Sequence, residues 1–427
     1  MIGLQAIRDD AEGVKRAVAR KGGGAEPVEA VDRILAADAR RRTLEAEVNE
    51  LRSQRNAGNK ELGALMRDGR RDEADGVKAR MADLSVRIAR HAAELTALEG
   101  AVEADLLLVP NLPHDSVPDG RSDADNPVVR TWGEPRRDDG ATPPHWEIAQ
   151  RLGLFDLERG AKIAGSGFIV FTGAGAKLQR ALIGMALELA ERHGYTEIWS
   201  PLVVNAASAR GTGQLPDKEA QMYVVERDDL YLIPTSEVPV TNLYRDEILS
   251  ADDLPRYHCA YTPCFRREAG AAGKDTRGLL RVHQFDKVEM VKFVRPETSY
   301  DELETLTRNA EAVLEALELP YRTVERCTGD VGFAQAKGYD IEAWAPGVGR
   351  FLEVSSCSNY TDFQARRMNL RYRSARDARP ALIHTLNGSG LGLSRTYAAL
   401  LETHLQTDGS ILLPEALRPH FGADRIT

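Results

Sequence analysis

Charged residues cluster in a segment that the sequence predicts to be a strand–loop–strand hairpin. Residues 265–268 (Phe-Arg-Arg-Glu) precede a loop, and residues 281–289 follow it. Because side chains on a strand recur with a period of two, such a hairpin can present several charges on one face. The candidate residues are Arg266, Glu268, Arg281, Phe285 and Glu289. Arginines match phosphate oxygens, carboxylates accept from amines and a phenyl ring stacks on a base, so the pattern favours a nucleotide site over exposed strand charges.

A second candidate anion site lies towards the carboxyl end of the chain. The glycine-rich stretch 388–392 leads into an amphipathic helix that has Arg395 near its start. We interpret the glycine-rich stretch as a turn. The N-terminus of a helix presents free N–H groups and attracts anions, so an arginine at this point is a plausible phosphate ligand.

Two other glycine-rich stretches differ from known phosphate-binding loops. Residues 270–275 (Gly-Ala-Ala-Gly-Lys-Asp) lack the four-residue spacing between glycines, and Asp follows Lys where Ser or Thr is required. Gly173 and Gly175 have no third glycine in register. We therefore predict that both stretches are turns.

The four cysteines do not suggest a metal site or a disulfide framework. Cys259 and Cys264 are separated by four residues, and Cys327 and Cys357 stand alone. None has the Cys-x-x-Cys spacing that is typical of structural zinc. We expect reduced cysteines and no structural zinc.

The segment 31–106 is rich in Ala, Leu, Arg and Glu and contains no proline, Phe, Tyr or Trp. Its apolar residues recur at steps of three and four, as in a heptad repeat that only His91 interrupts. The repeat positions are Leu44, Val48, Leu51, Leu62 and Leu65, and then Val77, Met81, Leu84, Ile88, His91, Leu95, Leu98 and Val102. A polar stretch at 67–72 suits a tight turn between the halves. The pattern predicts an antiparallel helical hairpin, the arm, whose helices of about 35 residues would be about 50 Å long.

The arm carries a cluster of arginines although the chain has a formal net charge of -9. An acidic protein binds nucleic acid only where positive charge is concentrated locally. The candidate phosphate-contacting residues are Arg40, Arg41, Arg52, Arg55, Arg67, Arg70 and Arg71. From the arm alone, a phosphate-binding strip and a solvated coiled coil are equally compatible with this pattern.

Composition divides the chain into three parts. Residues 1–108 contain the arm, residues 109–131 are a linker rich in Asp, Pro and Ser, and residues 132–427 are globular. Helix-like segments are 177–193, 300–317 and 391–405, and β-rich segments are 168–172, 222–233, 282–294 and 349–356. Without a regular alternation of strand and helix, we predict an α+β fold with a mainly antiparallel sheet flanked by helices.

Nothing in the sequence suggests a membrane or a secretory route. No apolar run approaches the roughly 20 residues needed to cross a bilayer. The first ten residues include Arg8, Asp9 and Asp10, which do not suit a signal peptide. We expect a soluble, cytoplasmic protein.

Three segments resemble the signature motifs of class II aminoacyl-tRNA synthetases. Residues 194–201 (Gly-Tyr-Thr-Glu-Ile-Trp-Ser-Pro) are similar to motif 1, residues 265–289 to motif 2, and residues 390–395 to motif 3. Within the class, the match is to bacterial seryl enzymes. It includes 1–21, 235–237 (Thr-Ser-Glu), 276–285 and 385–390 (Thr-Leu-Asn-Gly-Ser-Gly). The resemblance covers essentially the whole chain, and a small departure at Leu393-Ser394 leaves Arg395 in place.

The resemblance implies an enzyme that activates L-serine with ATP to seryl-adenylate and pyrophosphate, and then transfers serine to tRNA(Ser). Whether tRNA(Sec) is also charged stays open. The family further implies a cytoplasmic homodimer that pairs through motif 1 and uses Mg²⁺. Residues 396–427 are too few for an anticodon-reading domain, so the arm is the available tRNA-binding element. In this family the arm grips the long variable arm of the tRNA.

The resemblance also assigns roles to residues that contact ATP. These residues are Arg266, Arg267, Glu268, Arg281, Val282, Phe285, Glu353, Val354, Ser355, Ser356 and Arg395. Arg266 and Arg395 are the implied catalytic residues. Arg266 would bridge the α-phosphate and the serine carboxylate, and Arg395 would sandwich adenine with Phe285 and reach the γ-phosphate. Glu268 would accept from the adenine amino group, and Glu353 and Ser356 would hold Mg²⁺ with the phosphates.

A second set of residues is implied for serine. They are Thr235, Ser236, Glu237, Arg266, Glu289, Asn387 and Ser389. Thr235 and Glu237 would receive the α-amino group, and Glu289 and Ser389 would read the side-chain hydroxyl.

Two alternatives come from other functional classes. A catalytically inactive relative could bind partners through the arm, but the presence of Arg266, Glu268, Glu353 and Arg395 disfavours it. A ligase that loads amino acids onto a carrier protein is the other alternative. Synthetase-like proteins of that kind lack the long arm.

Overall fold

The structure is a computed structural model that describes residues 1–136, 140–217, 220–269 and 277–427. It contains two compact units, one of Ile2–Pro110 and one of Met1 with Asn111–Thr427. The turn predicted at 270–275 lies outside the described residues, as does Thr276 of the matched segment 276–285. Within the described ranges, no helix is both long and apolar enough to span a bilayer.

The first unit is helical. Its helices are α1 (Leu4–Asp9), α2 (Ala11–Arg20), α3 (Glu26–Arg67) and α4 (Arg71–Leu108). The ion pairs Arg33–Asp105 (2.8 Å), Arg40–Glu94 (2.9 Å) and Arg80–Glu61 (3.2 Å) join α3 to α4. In these pairs, the partner on α4 has a lower residue number as the number of the partner on α3 increases, so the two long helices run antiparallel. The predicted hairpin is confirmed.

The heptad positions form the contact between α3 and α4. Leu44, Val48, Leu51 and Val77 are buried, and the predicted interruption, His91, is itself only 7% exposed. The turn between the helices is shorter than the predicted 67–72, because α3 continues to Arg67 and α4 already begins at Arg71.

The second unit is built on an eight-stranded sheet. The strands of this unit, in the large sheet and in smaller ones, are β1 (Val128–Trp132), β2 (Phe155–Asp156), β3 (Val170–Phe171), β4 (Thr196–Glu197), β5 (Val203–Asn205), β6 (Val224–Val225), β7 (Leu230–Leu232), β8 (Ile248–Ser250), β9 (Arg256–Phe265), β10 (Gln284–Val294), β11 (Tyr321–Glu325), β12 (Lys337–Ala345), β13 (Arg350–Asn359), β14 (Arg371–Arg373), β15 (Ala381–Leu382), β16 (His384–Gly392), β17 (Ile411–Leu412) and β18 (Arg425–Ile426). The large sheet has the order β1-β11-β12-β13-β16-β10-β9-β4. Its neighbours are antiparallel except for β4 and β9, so the predicted mainly antiparallel α+β fold is confirmed.

Helices cover this sheet through apolar stripes. They are α5 (His145–Leu152), α6 (Leu157–Ala164), α7 (Gly173–Arg192), α8 (Ala206–Thr212), α9 (Glu237–Thr241), α10 (Ser299–Ala316), α11 (Phe363–Arg367), α12 (Leu393–Thr403) and α13 (Arg418–Phe421). In α10, Leu303, Leu306, Ala310 and Leu314 recur at helical spacing and are buried in one core with Val288 of β10. This packing fixes the strands that carry the predicted nucleotide residues.

Two of the predicted turns are wrong. Gly173 and Gly175 belong to the first turn of α7, where a Cβ on Gly175 would lie 1.9 Å from the Leu154 carbonyl oxygen. The stretch 388–392 is the end of strand β16. A Cβ on Gly388 would lie 2.7 Å from the sulfur of Cys357 on β13, so glycine here permits close strand packing rather than a turn. Arg395 nevertheless lies in the first turn of α12, as predicted.

Candidate active site

A cleft of about 760 Å³ opens where β9, β10, β13 and α12 meet. It is lined by Arg266, Glu268, Leu279, Leu280, Arg281, Val282, Phe285, Lys287, Glu353, Val354, Ser355, Ser356, Ser389, Gly392, Ser394 and Arg395. Segments far apart in the sequence therefore meet in one cleft. Every residue predicted to contact ATP is among them, except Arg267.

Arg266 and Phe285 form one wall of the cleft. The guanidinium carbon of Arg266 lies 5.1 Å from the centre of the Phe285 ring, and its Nε donates to the Pro234 carbonyl at 3.3 Å. Glu268 has a left-handed backbone, with φ of 50°, and its carboxylate accepts from Arg281 at 3.1 Å. The cleft thus presents a cation and an aromatic face beside a carboxylate acceptor.

Arg267 is directed away from the cleft. It is exposed, and its guanidinium donates to the Ala220 carbonyl at 3.3 Å. Successive side chains of an extended chain point to opposite sides, so a cleft-facing Arg266 turns Arg267 outwards. The structure does not bring Arg267 to the predicted nucleotide site.

Arg395 connects α12 to two segments of the cleft. Its Nη1 donates to the main-chain carbonyl of Glu353 at 2.9 Å and lies 3.3 Å from the Glu353 carboxylate. Its Nε donates to the Leu280 carbonyl at 3.3 Å. These contacts fix the guanidinium near the start of α12, where the helix end is also positive.

A β-bulge brings Glu353 and Ser356 to the same side of β13. Ile341 of β12 faces Ser355 while Glu342 faces Glu353, which leaves Val354 as the extra residue. In a regular strand, residues three apart point to opposite faces, and one inserted residue restores the phase. The hydroxyl oxygen of Ser356 is shielded from solvent, and it interacts with the carboxyl group of Asp340, which faces it on β12.

A second polar cleft, of about 800 Å³, adjoins the first and shares Leu280, Glu353 and Arg395 with it. Asp340 lies in this second cleft and faces Ser356 across β12 and β13. Burial, reinforced by the nearby Glu353 carboxylate, raises the pKa of Asp340 to about 7. The Arg326 guanidinium, 3.5 Å away, opposes this effect.

A buried polar cluster lies at the inner end of the first cleft. Lys287 forms a close ion pair with Glu289, and its ammonium donates to the Thr235 hydroxyl at 3.2 Å. The Thr235 hydroxyl in turn lies 3.3 Å from the same oxygen of Glu289. Ser389 faces Glu289 across β10 and β16. Four side chains from three segments therefore converge in one buried polar cluster.

Glu237 is a further carboxylate of this cluster. Its side chain accepts from the Gln364 amide at 2.7 Å. Burial, with a smaller contribution from Glu289, raises the pKa of Glu237 to about 7. A buried carboxylate with a raised pKa favours a ligand that brings a positive charge.

The other two residues predicted for serine differ in their contacts. The Ser236 hydroxyl is hydrogen-bonded to the Thr262 hydroxyl at 2.6 Å, within the sheet, so Ser236 packs behind the cluster. The amide oxygen of Asn387 accepts from the Tyr360 hydroxyl at 3.0 Å, and its side chain also interacts with the Glu237 carboxyl, so Asn387 belongs to the cluster.

Comparisons with known proteins identify the chain. Residues 1–113 match the model of the Seryl-tRNA synthetase N-terminal domain, and residues 223–404 match that of the tRNA synthetase class II core domain (G, H, P, S and T). A serine–tRNA ligase of Geobacillus kaustophilus is 52% identical over 423 residues, which cover 99% of this chain and 99% of that protein. The chain belongs to the seryl-tRNA synthetase family. It is an enzyme with serine–tRNA ligase activity.

Solved structures of this family share the fold. The crystal structure of seryl-tRNA synthetase from Pyrococcus horikoshii complexed with ATP is 38% identical and superposes with a TM-score of 0.96, covering 100% of this chain and 99% of that one. The cytoplasmic serine–tRNA ligase from Naegleria fowleri in complex with AMP is 27% identical, with a TM-score of 0.89 and the same coverage.

Sequence reasoning missed two residues that the structure places at the cleft and its polar cluster. Lys287 lines the cleft between Phe285 and Glu289, and the period of two along β10 would have indicated it. Gln364 contacts Glu237 from a helix more than a hundred residues away in sequence, and no local pattern indicates that contact.

The arginines predicted to contact tRNA fall into two groups. Arg40 pairs with Glu94, Arg41 with Asp38 and Glu45, and Arg70 with Glu73. Arg52, Arg55, Arg67 and Arg71 have no ion pair among the described residues, and the Arg67 guanidinium donates only to the Gly63 carbonyl. The second group is therefore the better supported candidate for phosphate contacts.

Proposed function

We propose that the cleft binds ATP and that the inner cluster binds L-serine. The observation that carries this proposal is the convergence of Arg266, Phe285 and Arg395, from separate segments, around one cleft next to the Thr235–Glu289 cluster. Phe285 and Arg395 would sandwich adenine, Glu268 would accept from its amino group, and Arg266 would contact the α-phosphate.

In the proposed reaction, a carboxylate oxygen of serine attacks the α-phosphorus of ATP. The new O–P bond gives seryl-adenylate, and the bond to the bridging oxygen breaks to release pyrophosphate. No protein nucleophile is required, because holding the two substrates in line supplies much of the rate. Arg266 and Arg395 would stabilise the charge that develops on the phosphate oxygens. The ribose hydroxyl at the 3′ end of tRNA then attacks the serine carbonyl and releases AMP.

For serine itself, we propose that Thr235 and Glu237 receive the ammonium group and that Glu289 and Ser389 read the hydroxyl. Glu289 supports this assignment, because Lys287 and Thr235 both hold one of its oxygens in place and Ser389 faces it across β10 and β16. Arg266 would hold the serine carboxylate beside the α-phosphate.

A magnesium ion is proposed at Glu353 and Ser356. Oxygen donors suit Mg²⁺, and the bulge on β13 puts the Glu353 carboxylate and the Ser356 hydroxyl on the same side of the strand. No group of three or more His, Cys, Asp or Glu in the described part of the chain could hold a metal. The protein alone would therefore supply too few ligands, and ATP phosphates and water would supply the rest. When bound, the ion would neutralise phosphate charge.

The test is pyrophosphate exchange measured with each amino acid in turn, followed by charging of tRNA(Ser) and tRNA(Sec). We expect exchange that depends on serine and on Mg²⁺, and a large loss of exchange in Arg266→Ala and in Glu353→Ala. Full exchange in both variants would show that this cleft is not the site of activation.

We further propose that residues 1–108 form the tRNA-binding domain, with the arm as its binding element, and that residues 132–427 form the catalytic domain. The arginines of the arm that have no carboxylate partner within the described part of the chain support this division. Replacing residues 31–106 by a short linker should leave serine-dependent pyrophosphate exchange intact and abolish tRNA charging. Unimpaired charging would contradict the proposal.

Finally, we propose that the enzyme is a cytoplasmic homodimer. Trp199, within the motif 1 segment, is 83% exposed, and Leu202 and Val203, which follow the segment in sequence, are each 39% exposed. Exposed apolar side chains of this kind are typical of a protein interface, and a second copy of the same chain is the commonest partner. ATP and tRNA are available in the cytoplasm. The four free cysteines are also compatible with that compartment, because thiols stay reduced there.

A further inference from the structure

His145 and Glu402 form a buried pair that lies outside the residues lining the cleft. Both side chains are completely buried. His145 begins helix α5, and Glu402 lies near the end of α12. The Nδ1 atom of His145 lies 2.8 Å from one Glu402 oxygen, and the main-chain N–H of His145 donates to the same oxygen at 2.8 Å. The serine–tRNA ligase reaction as described above uses neither residue.

The surrounding donors fix the protonation of the imidazole. The main-chain N–H of Leu279 donates to Nε2 of His145 at 3.0 Å, so Nε2 is an acceptor and carries no proton. The proton is therefore on Nδ1, which donates to Glu402. The second Glu402 oxygen accepts from the main-chain N–H groups of Gly347 at 2.9 Å and Val348 at 3.1 Å. The carboxylate is thus fully satisfied by four donors, and the ring has a single tautomer.

These contacts connect α12 to the cleft segment 279–282 at two points. Leu279 is held through His145 by Glu402, and the carbonyl of the next residue, Leu280, accepts from Nε of Arg395 at 3.3 Å. Arg395 and Glu402 lie on the same helix, about two turns apart. One rigid helix therefore fixes both the Arg395 guanidinium and the backbone that it must face across the cleft.

The chain passes directly over the imidazole. Gly278 has a φ of 68°, and a Cβ at this position would lie 2.2 Å from Nε2 of His145. A side chain is therefore excluded here both by backbone conformation and by the histidine ring. The imidazole sets how closely the segment approaches α12.

We propose that His145, held by Glu402, is a positioning residue for ATP. It fixes Leu279 and Leu280 and, through them, the Arg281–Val282 wall opposite Arg395, so that the width of the adenine site is set before ATP binds. This inference rests on the proposal that the cleft holds ATP. The inner cluster around Thr235 and Glu289 shares no contact with His145, so the effect should be selective for ATP.

The test is pyrophosphate exchange in which ATP and serine are varied separately, with His145→Gln and Glu402→Gln. Glu402→Gln replaces one of the two carboxylate oxygens by an NH₂ group, which cannot accept the N–H hydrogen bonds that this oxygen receives. We expect KM for ATP to rise at least tenfold in each variant and KM for serine to change less than twofold. The matched control is His404→Gln. His404 ends the same helix and contacts the Leu317 carbonyl at 2.9 Å, away from the cleft, and its variant should keep both KM values.

A measurement of Tm for each variant guards against a general loss of stability, because the positioning role requires KM for ATP to rise in protein that is still folded at the assay temperature. Gly278→Ala adds one methyl group against the imidazole in a strained backbone and should also raise KM for ATP selectively, at some cost in Tm. Equal rises in the two KM values, an unchanged KM for ATP, or the same effect in His404→Gln would overturn the inference. Phe285→Ala separates this inference from the site assignment. If Phe285→Ala leaves KM for ATP unchanged, the cleft is not the adenine site; if it raises KM while His145→Gln does not, only the positioning role fails.

Discussion

Glu289 and Ser389 face each other across strands β10 and β16, beside a register shift between Val288 and Glu289. Glu289 is 1% exposed and Ser389 is 6% exposed, so a ligand group that binds between them loses its contacts with water. In this environment, an unpaired polar group costs about 1–3 kcal/mol. The pair is therefore suited to recognising a hydroxyl group.

Selectivity for serine follows from this pair. Alanine lacks the hydroxyl, so the hydrogen bonds that Glu289 and Ser389 would make to it are lost, and a hydrogen-bonding site can reject such an analogue by roughly 10⁴-fold or more. Threonine keeps the hydroxyl and must be excluded by its methyl group, which is worth only about 1–3 kcal/mol. We expect kcat/KM in pyrophosphate exchange to fall in the order serine, threonine, alanine.

The Ser389→Ala variant tests which residue reads the hydroxyl. It should lower kcat/KM for serine, reduce the preference for serine over alanine, and leave KM for ATP almost unchanged. An unaltered serine-to-alanine ratio, or wild-type enzyme that uses alanine as readily as threonine, would show that the hydroxyl is read elsewhere.

The two adjacent arginines of motif 2 should differ sharply. Arg266→Ala removes a cleft cation, and losing a contact to the transition state typically costs about 3–4 kcal/mol, a hundred- to thousandfold in rate. Arg267→Ala removes only an exposed side chain that contacts the Ala220 carbonyl. The rate of seryl-adenylate formation in a single turnover, measured for each variant, tests this difference. Comparable losses would place Arg267 in the site after all.

Some of this arrangement could be predicted from the sequence and some could not. The heptad repeat predicted the helical pair, because its period reports which face of each helix is buried. The period of two along β10 predicted that Phe285 and Glu289 share a face. The bulge at Val354 and the contact of His145 with Glu402 depend on strand register and on packing between distant segments, which local periodicity does not fix.

The raised pKa of Glu237 predicts how serine binding depends on pH. With a pKa of about 7, this carboxyl is largely protonated at pH 6 and ionised at pH 8. Only the ionised form pairs with the serine ammonium group. KM for serine, at saturating ATP, should therefore rise as the pH falls from 8 to 6.

The stability of the enzyme without serine should fall as the pH rises, whereas serine binding should strengthen. Because the folded state holds the Glu237 proton above the usual carboxyl pKa of 4.5, this group destabilises the empty enzyme as the pH rises from about 4.5 to 7. Bound serine offsets the loss, so the increase in Tm that serine causes should be larger at pH 8 than at pH 6. In Glu237→Gln, serine binding should be weak and should show no such dependence on pH; an unchanged pH profile would assign the ammonium site to another residue.

Dimer formation should depend on Trp199. A charged side chain in place of Trp199 would be buried without a partner if a second copy covers this surface. We expect Trp199→Arg to convert a dimer to a monomer in light scattering at micromolar concentration. Val86→Arg is the control, since Val86 is 69% exposed but lies on the arm. A wild-type monomer with full activity would contradict the dimer proposal.

The arm should bind tRNA through its unpaired arginines. Arg52, Arg55, Arg67 and Arg71 have no carboxylate partner among the described residues, whereas Arg70 is paired with Glu73 at 2.5 Å. Neutralising an unpaired arginine removes a phosphate contact and one released counterion. Arg70 and Glu73 together carry no net charge, so this pair attracts phosphate less than an unpaired arginine does. Neutralising Arg70 therefore removes little attraction for phosphate, although it leaves Glu73 without its partner.

We therefore expect the triple variant Arg52→Gln, Arg55→Gln and Arg71→Gln to raise KM for tRNA(Ser) at least tenfold. Arg70→Gln should raise it only slightly. Serine-dependent pyrophosphate exchange should be unchanged in both, because these residues belong to the first unit and the ATP cleft to the second. Measuring Kd for tRNA over a range of salt concentrations distinguishes a phosphate contact from a loss of arm structure. Each lost phosphate contact reduces the slope of log K against log salt concentration by roughly one. An unchanged slope with weaker binding would mean that the arginines support the helical pair and do not contact phosphates.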